Sequence, residues 1–141
     1  MINVELKKII NKFRNQGKMF FLEATTKEKI DSFEKDKSVK LPEQYKEWLL
    51  YSDGGELFLP AGIQLYGIEH KPVINVDDNS KPDNSYIVIG ALASGDPVLC
   101  SKDNDKISIY NQEAGVIEDD EVYDNFYSFL NDLYNLLGIG D

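Results

Sequence analysis

The chain is organised around the stretch LPEQYKEWLLYSDGG, residues 41–55. Pro42 suits the first turn of a helix, where its missing N–H would have no partner anyway. Residues at helical spacing predict one packed face: Tyr45, Trp48, Leu49 and Ser52. Gly54 and Gly55 follow, and glycine tolerates the left-handed geometry in which helices end. We therefore predict a short helix, stopped by the two glycines, whose aromatic face is buried against strands.

Amphipathic patterns predict three more helices. The first covers about residues 3–15 and stops before Gly17. Thr25 and Glu28 match a capping box, which predicts a second helix from there to about Asp36. The last helix is capped by Asp124 or Asn125 and ends at Gly138. Its apolar stripe contains Phe126, Phe129, Leu130, Leu133, Leu136 and Leu137.

Short apolar segments between turn residues predict strands over 57–59, 63–66, 86–89, 97–100, 107–110 and 116–117. Residues 19–22 are either a strand or a packed connector. Residues 69–84 form a long polar connection, and acidic residues 118–121 lead into the last helix. Short turns favour antiparallel neighbours. We therefore predict one α+β domain over residues 1–141, with a mostly antiparallel twisted sheet flanked by helices.

Composition restricts the class of protein. A chain of 141 residues with 42% hydrophobic residues is long enough for one core. It contains no apolar run of the roughly 20 residues that a membrane span needs. Its N-terminus lacks the apolar core of a signal peptide. Cys100 is the single cysteine, which precludes an internal disulfide. These features predict a cytoplasmic protein.

Charge is distributed unevenly along the chain. Residues 1–50 carry 11 Lys and Arg against 8 Asp and Glu, whereas residues 51–141 carry 4 against 17. The net charge is −10. An acidic surface disfavours nucleic acid, which is bound through phosphate contacts to basic residues. It favours a basic protein partner, although such a charge also simply keeps a small protein in solution.

Candidate catalytic and metal-binding residues are few. A catalytic triad would need the single histidine, His70, which the sequence places at the edge of a loop. Cys100 lies in an apolar segment and is predicted to be a small core residue. Asp103 and Asp105 lack the glycine and glutamate of a calcium loop and predict a plain turn. The adjacent acids 77–78 and 119–121 are expected to be solvated. No catalytic, metal or cofactor site is predicted.

The motif Leu41-Pro42-x-x-Tyr45-Lys46-x-Trp48-Leu49, followed by Gly54-Gly55, resembles the SUKH superfamily, also called the Smi/Knr cell-wall-regulator type. Further similarity lies in Ile30-x-x-Phe33-Glu34, Ile89-Gly90, Gly95-Asp96, Ile109-Tyr110 and Phe126-x-x-Phe129-Leu130. The resemblance spans roughly residues 26–137. It implies an α+β fold and a non-enzymatic role. Bacterial members are regarded as immunity proteins that neutralise toxins, often nucleases, while fungal relatives act in cell-wall control and signalling.

We therefore predict an immunity-type protein that binds a cognate basic toxin domain. The predicted partner contacts, chosen from charge and loop position, are Glu56, Glu69, Asp96, Asp119, Asp120 and Glu121. A regulatory scaffold for signalling or cell-wall-synthesis proteins is one alternative, and a toxin gene next to this one would argue against it. A small hydrolase is another, which an activity lost on mutation of His70 or the paired acids would support.

Overall fold

The computed structural model describes residues 4–59, 62–70, 72–77 and 79–137. The helices within these residues are α1 (Val4–Gln16), α2 (Lys27–Lys37), α3 (Glu43–Leu49) and α4 (Phe126–Leu136). The strands are β1 (Lys18–Phe20), β2 (Gly55–Leu59), β3 (Ile63–Leu65), β4 (Tyr86–Leu92), β5 (Pro97–Ser101), β6 (Ile107–Asn111) and β7 (Val116–Tyr123).

All seven strands form one sheet in which each strand pairs, antiparallel, with the next one along the chain. β4 is central, and β1 and β7 are the two edges. This confirms the predicted α+β class with a mostly antiparallel sheet. Short connections join β2 to β3, β4 to β5, β5 to β6 and β6 to β7. They account for antiparallel pairing there, because parallel neighbours would need long crossovers.

The core lies between the helices and one face of the sheet. The helices contribute their apolar stripes, which include Leu6, Ile9, Ile10 and Phe13 of α1 and Phe126, Phe129, Leu130 and Leu133 of α4. Ile87 and Ile89 of β4 belong to the same cluster. Val88 lies between them and is also buried, but alternation along the strand turns it to the opposite face.

β2 departs from simple alternation at Phe58. This residue has φ of 59°, an uncommon value for a bulky side chain. The register against β1 shifts there, since Lys18 pairs with Leu59 but Phe20 pairs with Glu56. As a result, consecutive side chains Leu57 and Phe58 are both buried. The Phe58 ring packs edge-on against Phe13, with ring centroids 5.0 Å apart.

The connection between β3 and β4 is partly structured rather than a plain polar loop. Gly67 bridges Val73, and Asn75 bridges Val88. Ile74 is only 2% exposed and joins the core. The side-chain ammonium of Lys81 donates hydrogen bonds to the carbonyls of Val76 (2.7 Å) and Tyr86 (3.1 Å). The described residues of this connection are therefore anchored to the first half of β4.

The capping box predicted at Thr25 is wrong by one residue. Thr26 is the N-cap of α2, and its hydroxyl accepts the Lys29 N–H at 3.3 Å. Thr25 is 5% exposed, and its N–H donates to the Leu49 carbonyl. The Thr25 hydroxyl has no partner among the described residues. Tertiary packing at Thr25 thus displaces the cap by one position.

Gly54 and Gly55 do not stop α3, contrary to the prediction. The cap of α3 is Leu50, which has ordinary right-handed geometry. The glycines have φ of 99° and 125° and lead into β2. A Cβ on Gly54 would lie 2.7 Å from the Leu65 carbonyl oxygen. A Cβ on Gly55 would lie 3.1 Å from the Phe20 carbonyl oxygen of β1. The two glycines are therefore required by their positive φ and by the close approach of neighbouring backbone, rather than by the helix end.

The ends of the last helix are partly described. Asn125, one of the two predicted caps, accepts the Ser128 N–H at 2.8 Å. The predicted stop at Gly138 lies outside the described residues. In the described part of the chain, none of the helices combines the length and apolarity needed to cross a bilayer.

Candidate functional site

The α3 motif, residues 41–55, connects helices to strands through buried side chains. Leu41, Tyr45, Trp48 and Leu49 are at most 1% exposed, in agreement with the predicted packing face. The Tyr45 hydroxyl donates to the carbonyl of Tyr66 and lies 3.3 Å from that of Ile89. Burial raises the pKa of Tyr45 well above its ordinary value. The Trp48 indole N–H donates to the Gly54 carbonyl at 2.9 Å.

Ser52, which follows α3 in the chain, adds further hydrogen bonds to this motif. Its hydroxyl donates to the Gly54 carbonyl at 2.7 Å and accepts the Leu22 N–H at 2.9 Å. The Asp53 N–H donates to the Glu23 carbonyl at 3.2 Å. Residues 52–53 therefore tie the connection between β1 and α2 to the start of β2.

Asp53 holds the loop of residues 67–70. Its side chain is fully buried. Oδ1 accepts the Ile68 N–H at 2.6 Å, and Oδ2 accepts the N–H groups of Glu69 (2.9 Å) and His70 (3.0 Å). Oδ2 also lies 2.9 Å from Nδ1 of His70. Four nitrogen atoms thus surround one buried carboxylate, which fixes the course of the loop.

The pKa of Asp53 reflects this geometry. Burial raises the pKa of the carboxyl, but the hydrogen bonds from the Ile68 N–H, the His70 ring and the main chain of residues 69 and 70 outweigh it. The pKa is therefore held below its usual range, and the group is ionised near neutral pH. Gly67 makes room for it, since a Cβ there would lie 2.7 Å from Oδ1 and 2.3 Å from the Asp53 carbonyl oxygen.

Four of the six predicted partner residues lie together at one end of the sheet. Ser108 pairs with Val122 and Tyr110 with Ile117, so that one residue of β6 faces the four residues 118–121 of β7. These acids therefore form a large bulge within the edge strand, rather than the lead-in to a helix that the sequence suggested. The bulge residues are Glu118, Asp119, Asp120 and Glu121.

Asp96, in the turn between β4 and β5, completes this acidic group. Its Oδ1 accepts the Gln112 N–H at 3.2 Å, which ties it to the turn before β7. Burial raises the pKa of Glu121. Nearby carboxylates raise it further, namely those of Asp120, Asp96 and Glu118. Residues 96 and 118–121, called the acidic end below, therefore form one electrostatic unit.

Glu56 and Glu69 lie apart from the acidic end. Glu56 is on β2, five strand positions from β7, and pairs with Gln64 of β3. Glu69 is in the loop held by Asp53, and its Oε1 lies 2.7 Å from the Lys29 ammonium of α2. The six residues therefore do not form one surface.

The candidate catalytic side chains are engaged in structural roles. His70 is bound to Asp53, a partner that sequence reasoning missed. Ser52, beside Asp53 in the chain, is fully buried and hydrogen-bonded to the backbone. Cys100 is fully buried in the core, and burial raises the pKa of its thiol to about 12. Asp103 and Asp105 are exposed in the turn between β5 and β6. Asp78 lies outside the described residues, among which no cluster of three potential metal ligands occurs.

Known proteins resemble this chain in fold and in family. No curated protein matches it. A crystal structure of a protein from Pseudomonas syringae pv. tomato matches with a TM-score of 0.63 and 11% identity, covering 90% of this chain and 96% of that chain. At that identity, the likeness shows the fold alone.

The family comparison is more informative. The SMI1 / KNR4 family (SUKH-1) matches residues 24–132, more than three quarters of the chain. The match includes the α3 motif, Asp53 with its loop, and the acidic end. It confirms the family resemblance predicted from the sequence, and it covers residues 26–132 of the stretch 26–137. The chain belongs to the SMI1 / KNR4 family (SUKH-1).

Proposed function

We propose that this protein is a cytoplasmic, non-enzymatic binding protein of the immunity type, which neutralises a cognate toxin by covering its functional surface. The observation that carries the proposal is membership of the SMI1 / KNR4 family (SUKH-1) across residues 24–132. Bacterial proteins of this family are regarded as immunity proteins. The engagement of Ser52, His70 and Cys100 in structural contacts supports a role in binding rather than catalysis.

The chemistry of the acidic end supports a basic partner. Five carboxyl groups lie there; burial raises the pKa of Glu121, and the charges of Asp120, Asp96 and Glu118 raise it further. A cationic surface would relieve the repulsion between these charges, and charge complementarity would speed the encounter. The exposed side chains of Val116 (47%) and Val122 (37%) flank the acids on β7 and offer apolar contact area. A toxin domain that binds phosphates would carry the basic surface required.

Co-expression with the product of the adjacent gene tests the proposal. If that product is the toxin, we expect the present protein to restore growth and to copurify with it. A toxin that still kills the cells and does not copurify would contradict the proposal for that pair.

Charge reversal tests the role of the acidic end. We expect Asp119→Lys/Asp120→Lys to slow association with the toxin and to weaken its dependence on salt. Asp103→Lys/Asp105→Lys is the matched control, because it makes the same change of charge on exposed residues. These residues follow β5, whereas Asp96 of the acidic end precedes it. Equal association rates of the two variants would refute an electrostatic role for the acidic end.

A further inference from the structure

A second surface of the molecule has the features of a site for one cationic side chain. α2 and residues Ile68 and Glu69 line a shallow, open groove of about 470 Å³, called the α2 groove below. Phe33, only 8% exposed, and the half-buried Ile68 contribute apolar side chains from its two walls. Glu28, Lys29 and Asp36 line it from the helix, and Glu69 lines it from the loop.

The charge of the α2 groove is negative despite the basic character of the helix. Three carboxylates and one ammonium line it, which leaves a net charge of −2. Lys29 is paired with Glu69 across the groove at 2.7 Å. No cation among the described residues lies within ion-pair distance of Glu28 or Asp36. The groove thus holds one cation of its own and has capacity for another.

We propose that the α2 groove binds an arginine side chain of a protein partner. The apolar stem would pack on Phe33 and Ile68, as long cationic side chains do on apolar surface. The planar guanidinium donates in several directions at once, so that it can meet carboxylates of both walls. The walls are preformed because Asp53 holds the loop through main-chain N–H groups, independently of Lys29.

Lys29 then acts as an internal competitor. Its ammonium occupies Glu69, the carboxylate that an arriving guanidinium would share. Removing that ammonium should strengthen binding of the guest, whereas neutralising Glu69 should weaken it. If the ion pair were only structural, the two substitutions would not change the affinity for the guest in opposite directions, because each breaks the same contact.

The experiment uses N-acetyl-arginine N-methylamide as the probe and the full chain labelled with ¹⁵N. We expect saturable shifts of the amide signals of Lys29, Phe33, Ile68 and Glu69. The citrulline analogue, a neutral molecule of nearly the same shape, should give none. Lys29→Met should tighten binding about two- to fivefold and Glu69→Gln should weaken it by a similar factor, the range expected of one exposed ion pair. Glu113→Gln, in the turn before β7, is the control for Glu69→Gln because it makes the same change of charge.

Equal shifts with citrulline, shifts confined to the acidic end, or no tightening in Lys29→Met would each overturn the assignment. The inference takes its protein partner from the proposed function, but the probe does not depend on it. Arginine binding without any toxin partner would sustain the groove and contradict the immunity role. Rescue of cells from the toxin without binding of the arginine probe would support the immunity role and contradict the proposed site in the α2 groove.

Discussion

At the scale of single residues, Asp53 is the position on which most local structure depends. Replacing it with asparagine substitutes an amide N–H₂ for one carboxylate oxygen and leaves buried N–H groups without acceptors. We expect Asp53→Asn to lower the free energy of unfolding in urea by roughly 2–4 kcal/mol. Asp119→Asn, on the exposed bulge, should stay within about 0.5 kcal/mol of the wild type. Equal losses in both variants would contradict this role of Asp53.

The same residue gives a prediction for pH. The pKa of Asp53 is lower in the folded protein than its ordinary value of 3.8. Its contribution to stability is therefore complete well above that value and is lost as the pH falls through the folded pKa. The gap in unfolding free energy between wild type and Asp53→Asn should be largest at pH 7 and should shrink near pH 3. A gap that is independent of pH would show that the charge of Asp53 is not responsible.

No local signal in the sequence identifies Asp53. It follows Ser52 and precedes Gly54, and there it resembles an ordinary turn residue. Its partners are main-chain N–H groups some fifteen residues later, brought near it only when β2 and β3 pair. By contrast, the burial of Tyr45 and Trp48 follows from their helical spacing alone, because one face of a short helix must pack.

At the scale of elements, the start of α2 offers a test with two neighbouring threonines. Thr26→Ala removes the cap and should cost about 1 kcal/mol of unfolding free energy. Thr25→Val keeps the shape of a buried side chain whose hydroxyl has no partner among the described residues, and it should be neutral or stabilising. Thermal or urea unfolding of both variants measures the difference. A larger loss at Thr25 than at Thr26 would restore the capping box first predicted.

The helices were predictable to within a few residues because apolar periodicity is local, whereas the start of α2 and the end of α3 depend on tertiary contacts and were predicted wrongly. β7 was not, since its acidic bulge interrupts the alternation that marks a strand. Only the pairing of Val122 and Tyr123 with β6 shows that the strand resumes after residue 121. Asp96 lies near residues 118–121 because of that same pairing. The sequence therefore predicted six partner residues but could not show that four of them lie together.

At the scale of the whole molecule, the sheet formed by the described residues has two edge strands, and β7 is one of them. Charged bulges on an edge strand hinder pairing with another chain. Neutralising Glu118, Asp119, Asp120 and Glu121 together should therefore promote self-association, seen as a larger sedimentation coefficient than that of the wild type at equal concentration. Neutralising Asp31, Asp103, Asp105 and Glu113 instead gives the same net charge and should not. Identical behaviour of the two variants would attribute any association to net charge alone.

The hydrogen bonds between Asp53 and the loop of residues 67–70 determine which substitutions the loop can accept. Three of the four nitrogen atoms that contact the carboxylate belong to the main chain, which every residue other than proline supplies identically. The exposed side chain at position 69 can therefore be exchanged for one of different chemistry while the backbone beneath it keeps its course. A change of binding preference in this loop therefore does not require a new fold.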